Sequence, residues 1–510
     1  MRSRGSDHIR TAAGPDRAAR PARLRPLRWL DEQLGVVTLA RAAFRRLFPD
    51  HWSFLLGQIA LFSFVVILLS GIYLTFFFTP DSRQTVYDGP YAPLHGARVS
   101  ATFDSVMRLS FEVRAGLLMR QAHHWAALVF VAAIVVHLCR VFFTGAFRRP
   151  RQVNYLIGFV LLLLALAGGL TGYTLPDDLL SGISLRIIYS AALGIPVIGT
   201  WVAFLFFGGE YPTADLISRL YIFHVALVPA LLIGALLLHL VLVVWQKHTQ
   251  FPGPGRTNSN VVGTRLWPVQ TVKYLALGLL TAAALALLGG LVQINPVWQY
   301  GPFDPVVVTS PAQPDWYNGW LDGGLRLAPP WDFRIFGYTV SELFLPGLVL
   351  PALLLGLVAA WPFIEVGFTK DRREHHLLDR PRDVPFRTAT GVAGLSVFFV
   401  LFLAGGNDII GAALNVPVET ISRILQVLFI AAPAMCWLVT YYTCKKLRDT
   451  DAHPGRPSAG LLLRRTASGA YQTIPTDDTR DWGRDRAPVV RRSASSAPRT
   501  TPPTNDMPQE

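Results

Sequence analysis

Two long apolar segments each carry a pair of histidines, and this pattern restricts the fold more than any other feature of the chain. The first segment contains His123 and His137, which are 14 residues apart. The second contains His224 and His239, which are 15 residues apart. Both segments are long and apolar enough to cross a membrane as helices. At about 100° and 1.5 Å per residue, either interval is close to four turns, so each helix presents two imidazoles on nearly one face at two depths.

Two such helices lying side by side would form two bis-histidine sites stacked across the membrane. Four imidazoles without nearby thiols or carboxylates suit a low-spin haem iron with both axial positions filled. A single histidine in a membrane helix is often satisfied by a neighbouring carbonyl group, but two matched pairs favour haem ligation. His124 points about 100° away from His123, and we expect it to pack or to form a hydrogen bond rather than to bind metal.

The composition is that of a protein that crosses a membrane several times. Of 510 residues, 51% are hydrophobic and 16% are charged, and the mean hydropathy is +0.36. The net charge of +14 is better explained by basic cytoplasmic loops than by nucleic-acid binding. Cys139, Cys436 and Cys444 form no CxxC motif, so no covalent haem, iron–sulfur cluster or structural zinc is expected in this chain. No apolar stretch precedes Trp52, so no cleavable signal peptide is expected.

Hydrophobicity predicts an all-α polytopic membrane protein with eight transmembrane helices. An N-terminal four-helix bundle would hold both haem sites, and four more helices would follow. The predicted spans are Ser53–Phe78, Leu117–Phe143, Val153–Leu175, Arg219–Trp245, Val272–Val292, Tyr338–Phe368, Gly391–Gly405 and Ile421–Tyr442. The connection 176–218, rich in glycine and proline, is expected to form surface helices, as is the stretch near 101–113.

Charge divides the chain further and sets its orientation. We predict a basic cytoplasmic extension at 1–50 with a surface helix from about 24 to 48, a di-haem core at 51–250, a C-terminal transmembrane region at 251–444, and a disordered cytoplasmic tail at 445–510. Lys and Arg are dense in both termini and in alternate loops, which the positive-inside rule places in the cytoplasm. The second and fourth spans then run in the same direction. This orientation puts one histidine of each helix near the outer face and the other near the inner face.

Glycines repeat the histidine interval in the two neighbouring spans. Gly57 and Gly71 are 14 residues apart in the first span, and Gly158 and Gly172 are 14 apart in the third. A glycine lets a flat macrocycle approach the helix backbone. Small-residue helix packing is the alternative, but the shared interval favours haem contact.

Three arginines lie at the ends of the predicted ligand helices: Arg120, Arg140 and Arg219. Each could neutralise a haem propionate. The alternative is an arginine that extends to the membrane surface and serves only topology.

These residues lead to a resemblance. From about Phe48 to Tyr442 the chain resembles cytochrome b, the quinol-oxidising subunit of cytochrome bc complexes, in the motifs RQAH…HLCR, GYTLP, SAALGIPVIGTWV, SRLYIFH and PDWY. The resemblance implies two haems b, a low-potential one on His123 and His224 and a high-potential one on His137 and His239. The 15-residue interval, the single chain and the basic extensions resemble the actinobacterial menaquinol form.

The resemblance also implies partners. They are a Rieske-type iron–sulfur subunit, a cytochrome c subunit, a second copy of this chain, and a supercomplex with a terminal oxidase, all at the plasma membrane. Membrane lipid would surround the chain.

Quinol oxidation needs a base near the outer haem. Asp315 in PDWY, with Tyr317 two residues on, is the candidate, and in the family this acid is usually Glu. A carboxylate beside a quinol hydroxyl can accept its proton; a turn-forming Pro-Asp is the alternative. The family has Trp-Gly where this chain has Asp177 and Asp178; these acids could relay protons or simply be solvated.

An inner site would reduce quinone beside the other haem with protons from the cytoplasm. Lys247, His248 and Lys273 are the candidates. The family often has Lys-Asp where this chain has Lys273-Tyr274. His248 could donate protons near neutral pH or be an ordinary surface histidine.

The sequence therefore predicts the cytochrome b subunit of a respiratory quinol–cytochrome c reductase. It would oxidise menaquinol at the outer face, pass electrons through two haems to an inner quinone site, and translocate protons electrogenically. The alternatives are another di-haem electron carrier similar to a ferric reductase, and a haem-free transporter.

Overall fold

The computed structural model describes residues 44–307, 313–452, 462–465 and 471–474. The basic segment 1–43 lies outside the described residues, and with it most of the surface helix predicted for residues 24–48. The described end of that stretch contains a short strand, Leu47–Phe48, which pairs antiparallel with Thr264–Arg265.

Among the described residues, eight helices are long and apolar enough to cross a membrane, which confirms the predicted all-α polytopic fold. These helices, α1 to α8, are Trp52–Thr75, Gly116–Phe143, Gln152–Tyr173, Leu216–Trp245, Leu266–Leu291, Leu345–Thr369, Pro385–Gly405 and Val418–Thr450. Large apolar side chains such as Leu69, Leu279 and Ile430 are exposed on their surfaces, as expected where lipid rather than water is the solvent.

Three predicted helix starts were wrong. Helix α5 begins at Leu266, six residues before the predicted Val272, and the other two differ for local reasons. Tyr338–Val340 is a strand that forms a hairpin with Phe333–Ile335, so α6 begins at Leu345 and not at Tyr338. In contrast, α7 begins at Pro385, six residues before the predicted start. Proline suits the first turn of a helix because the N–H it lacks would have no partner there. The charge of Arg387 makes this turn look polar in the sequence, but the fold buries that side chain.

The fourth span, α4, contains a π turn at Phe223–Leu227, where Val228 N–H donates to the Phe223 carbonyl. Pro229 follows at once and has no N–H for a regular helical bond. A π turn encloses one residue more than an α turn between its bonded groups. The 15-residue histidine interval in α4 therefore corresponds to the 14-residue interval in the uninterrupted α2, and the overshoot expected for a regular helix does not arise.

The first four spans form the bundle that positions the histidines. Helix α1 packs along α2, α3 packs along α4, and α5 closes over α1 and α2. The core between the two histidine levels is apolar, with Phe64 of α1 stacked on Phe130 of α2 at a centroid distance of 5.4 Å. Val131 and Ala165 are buried in the same cluster. This packing holds α2 and α4 in fixed register.

Short helices cover the end of the bundle that carries His123 and His224. They are Ala101–Phe111, Leu179–Leu193, Gly199–Phe207, Val297–Tyr300 and Gly319–Leu327. The second and third of these form the connection that was expected to carry surface helices. The last of these helices directly follows PDWY and packs so closely on α7 that only glycine fits at the contact. A Cβ added at Gly323 would overlap the Leu401 carbonyl, and one added at Gly405 would overlap the Gly319 carbonyl.

The opposite end is held together by loops and charges. Gln250 N–H donates to the His376 carbonyl and Leu378 N–H donates to that of Gln250, both at 2.9 Å. In α7, Arg387 is buried and binds Glu365 of α6 through Nε at 2.8 Å and Asp379 through Nη1 at 2.8 Å. This network ties the C-terminal helices to the loop before α7.

The chain divides into two compact units, 1–445 and 446–510. The second contains a small antiparallel pair, Leu462–Arg465 with Tyr471–Ile474, within the tail for which the sequence predicted disorder. The domain boundaries predicted within residues 1–445 remain predictions.

Candidate functional site

The histidines of α2 and α4 face each other, and at one level the distance suits two axial ligands. The ring centroids of His123 and His224 are 6.1 Å apart and the planes are inclined by 72°. If each ring nitrogen lay about 2 Å from a metal and the ring centre about 1 Å further, two axial imidazoles would have centroids about 6 Å apart. A haem iron needs only two protein ligands. Within the described part of the chain, no group of three or more His, Cys, Asp or Glu gathers to hold a bare metal ion.

Hydrogen bonds fix which nitrogen of each ring points inward at this level. Ser70 Oγ donates to the Val66 carbonyl at 2.6 Å and lies 3.0 Å from His123 Nδ1, so Nδ1–H is the donor to Ser70. His224 Nδ1 lies 3.1 Å from the Gly168 carbonyl, which can only accept. Both rings therefore carry their proton on Nδ1 and keep the Nε2 lone pair for a metal.

At the other level, His137 and His239 are half-buried in the bundle. Their Nδ1 atoms are buried and make no hydrogen bond of normal geometry among the described residues.

The four glycines lie against the four imidazoles. A Cβ at Gly71 would come within 3.2 Å of His123 Cε1, and one at Gly57 within 3.4 Å of His137 Cε1. A Cβ at Gly158 would come within 3.4 Å of His239 Cε1, and one at Gly172 would overlap His224. The glycine interval thus follows from the histidine interval, because each glycine makes room for one ring. Contact between these glycines and a haem macrocycle stays a prediction; Gly71 and Gly172 line the cavity between the rings.

A cavity of about 570 Å³ opens between His123 and His224. Its wall is mostly apolar, and Arg120, Asp315 and Tyr317 also line it. The residues predicted for the outer haem and for quinol oxidation therefore share one space.

Two of the three candidate arginines have unused donors in the interior. Arg120 donates through Nη1 to the Asn295 carbonyl at 3.0 Å, but its Nε and Nη2 are buried without a partner in the described chain. The same two atoms of Arg140 are also unpaired, and its guanidinium lies 4.3 Å from the Phe54 ring centroid. Buried donors without partners are costly, so both sites fit an anionic group such as a propionate. Arg219 differs, because it is exposed and lies against Gly208.

Asp315 is the centre of a small buried cluster. His124 Nε2 lies 2.8 Å from its Oδ1, and the Tyr317 hydroxyl donates to its Oδ2 at 3.0 Å. The side chains of His124 and Asp315 are 14% and 12% exposed, so this carboxylate is not a solvated turn residue. Burial and the adjacent carboxylate raise the pKa of Tyr317. The hydrogen bond expected for His124 is present, but its partner, which is 191 residues away, could not be identified from the sequence.

The three inner candidates lie at the opposite end, each with its own neighbours. Lys273 binds Asp50 at 2.6 Å, so Asp50 supplies the acid that is missing at position 274. His248 packs on Phe48 at a centroid distance of 4.3 Å, and burial lowers its pKa to about 4. It is therefore neutral at pH 7. Lys247 is exposed.

Comparison with known proteins identifies the family. The family model described as cytochrome b(N-terminal)/b6/petB matches residues 128–302. The cytochrome bc1 complex cytochrome b subunit of Streptomyces coelicolor is 47% identical over 451 residues, covering 88% of this chain and 83% of that protein. That of Mycobacterium tuberculosis is 48% identical over 437 residues, covering 84% and 79%.

The chain belongs to the cytochrome b subunits of cytochrome bc1 complexes.

A solved structure entitled "Hyperthermophilic respiratory Complex III" has the same fold, with a TM-score of 0.59 at 18% identity, covering 82% of this chain and all of that one. The family assignment confirms the resemblance drawn from the motifs and the predicted enzyme class: the cytochrome b chain is a multi-pass membrane subunit of a quinol–cytochrome c reductase. It displaces both alternatives, the ferric-reductase-like carrier and the haem-free transporter. Membership implies haem b cofactors and partner subunits.

Proposed function

We propose that this cytochrome b oxidises menaquinol on the Asp315 side of the cavity that His123 and His224 line, next to the haem that these two histidines would hold, with Asp315 as the proton acceptor. The observation that carries the proposal is that Asp315 and both imidazoles line the same cavity. A carboxylate placed between His124 and Tyr317 can give up one of these hydrogen bonds and accept a proton from a quinol hydroxyl. His124 can then take part in moving that proton away from the site.

The facing imidazoles support the proposed haem ligands, and the assignment of potentials rests on the resemblance to the family. His123 and His224 would hold the low-potential haem b, and His137 and His239 the high-potential one. When bound, the haems supply one-electron carriers that join the two ends of the bundle. Arg120 and Arg140 would bind propionates through the buried donors that lack partners in the described chain, and the apolar wall around Phe64 and Phe130 excludes water between the two levels.

The other end of the bundle would reduce quinone. Lys273, paired with Asp50, is the best-placed proton source, since both side chains are partly exposed to solvent. His248 is buried and neutral and is better suited to line the site. Lys247 would contribute positive charge at this surface.

Orientation and assembly complete the proposal. The Asp315 end would face the outside of the plasma membrane, and both termini would face the cytoplasm, as the distribution of Lys and Arg requires. One electron would pass to a Rieske-type subunit and on to a cytochrome c subunit, and the other would cross the two haems. Proton release outside and uptake inside would make turnover electrogenic. We also infer a homodimer and a supercomplex with a terminal oxidase.

Asp315→Asn in the purified complex tests the central step. We expect menaquinol oxidation to fall about 100-fold or more, because removing a general base costs 10²–10⁴-fold. Both haems should remain in the reduced-minus-oxidised spectrum. Asp304→Asn is the matched control: Asp304 is exposed on the same side and accepts a hydrogen bond from Val306 N–H at 2.9 Å. Unchanged turnover in Asp315→Asn would show that the base lies elsewhere.

A further inference from the structure

Asp178 carries a buried carboxylate of which one oxygen makes no hydrogen bond in the described chain. It precedes the helix Leu179–Leu193, and its Oδ1 accepts the Ser181 N–H at 3.0 Å, which caps the helix. The residue is only 1% exposed. Its Oδ2 is buried and has no hydrogen-bond partner among the described residues, so the residue is not simply solvated. A cap needs one oxygen, which Ser or Asn supplies equally well, so capping does not explain the charge.

Arg120 is the positively charged residue that attracts this carboxylate electrostatically. It has two buried nitrogens without partners in the described chain. Arg120 also lines the cavity of the His123–His224 pair. Pro176, two residues before Asp178 in the chain, lines the same cavity, so the carboxylate lies close to the space where a haem would sit.

The other titratable groups that act on Asp178 are phenols. Tyr173, at the end of α3, and Tyr300, in the helix Val297–Tyr300, both interact with it electrostatically. Asp177 precedes it in the chain, and burial raises the pKa of each of the two acids to about 6. Burial outweighs the attraction of Arg120 at Asp178. This carboxyl group thus changes its charge in response to a small change in the field around it.

We propose that the carboxylate of Asp178 binds a proton when the haem between His123 and His224 gains an electron and releases it when that electron moves on. The proposal rests on the function proposed above. The electron comes from quinol and leaves for the second haem. The proton comes from the aqueous phase at that end and returns to it, so neither is consumed.

Electrostatics determines the direction in which the midpoint potential of the haem should change with pH. An ionised carboxylate near the haem opposes the addition of a further negative charge, and a protonated one does not. In the wild type, the midpoint potential of this haem should therefore fall as the pH rises through about 6. An uncharged side chain at position 178 should hold the potential at its acid-limit value throughout.

Redox titration of both haems in the purified complex, from pH 5 to pH 8, tests the proposal. Asp178→Asn and Asp178→Ser keep the cap but remove the charge, and Asp304→Asn is the control for the same chemical change at an exposed site. We expect each Asp178 variant to match the wild type at pH 5, to have a higher potential at pH 8, and to leave the His137–His239 haem unchanged.

The outcomes distinguish a failure of this proposal from a failure of the proposed function. The same pH dependence in the wild type and in both Asp178 variants, with two haems present, would overturn it. The same change in the Asp304 control would also overturn it, because the effect would then not belong to this site. If wild-type protein contained no b-type haem, the proposed function itself would fail.

Discussion

Gly172→Ala tests the contact between glycines and imidazoles most directly. The added Cβ would overlap His224 Cε1 and lie 3.0 Å from both ring nitrogens. The ring cannot easily retreat, because its Nδ1 is bound to the Gly168 carbonyl at 3.1 Å and lies 3.2 Å from Thr171 Oγ1. To reach ordinary contact it must move by about 1 Å, which is half the length of a metal–imidazole bond of about 2 Å.

The cost can be bounded. Overpacking of this kind costs about 1–3 kcal/mol, and the better helix propensity of alanine returns about 1 kcal/mol. A net loss of up to about 2 kcal/mol corresponds to up to about 30-fold weaker haem binding. The assay is the rate at which each haem leaves for an excess of a haem-scavenging apoprotein. The His123–His224 haem should leave faster and the other at the wild-type rate, so the second haem is an internal control.

A graded series makes the argument refutable. Gly71→Ala, with a contact of 3.2 Å, should have a smaller effect at the same level, and Gly158→Ala, at 3.4 Å, almost none at the other level. Gly234 lies in the same helix as His224 with nothing within 4 Å, so Gly234→Ala should leave both haems unaffected. If Gly172→Ala releases haem no faster than Gly234→Ala, the glycines do not serve to make room for the rings.

Two charge networks give further predictions. Glu365→Gln should lower the stability of the complex by about 3–5 kcal/mol, because it leaves the buried Arg387 without its main partner. Thermal unfolding measures this loss. As the control, Asp371→Asn, in a pair near the surface, should cost at most about 1 kcal/mol. Arg326, in the helix that follows PDWY, binds Asp408 at 2.9 Å, and Gln313, just before PDWY, donates to the same carboxylate at 3.0 Å. Arg326→Lys should therefore raise the KM for quinol several-fold with little change in kcat. An unchanged KM would show that this network does not position the loop.

The sequence predicted the parts of the site that depend on period and charge. The histidine intervals predicted that His123 faces His224, as the ring distance of 6.1 Å shows, and the matching glycine intervals identified positions that lie against the four rings. What failed depends on contacts between distant segments. Arg219 had the same sequence context as Arg120, but only the fold places one against Gly208 and the other in the cavity. For Asp178 the sequence left a proton relay and a solvated acid both open, because its pairing with Pro302 joins segments that are far apart in the chain.

The 15-residue interval in α4 shows how one local irregularity makes the whole arrangement consistent. On a regular helix, His224 and His239 would be about 60° out of line, and two stacked haems would need a twist between α2 and α4. Pro229 cannot donate a helical hydrogen bond, and the turn before it opens to a π turn with the bond from Val228 to Phe223. The additional residue is absorbed there, beside a ligand, as is common at functional sites. Both helices then present their histidines at the same two levels without any change in how they pack.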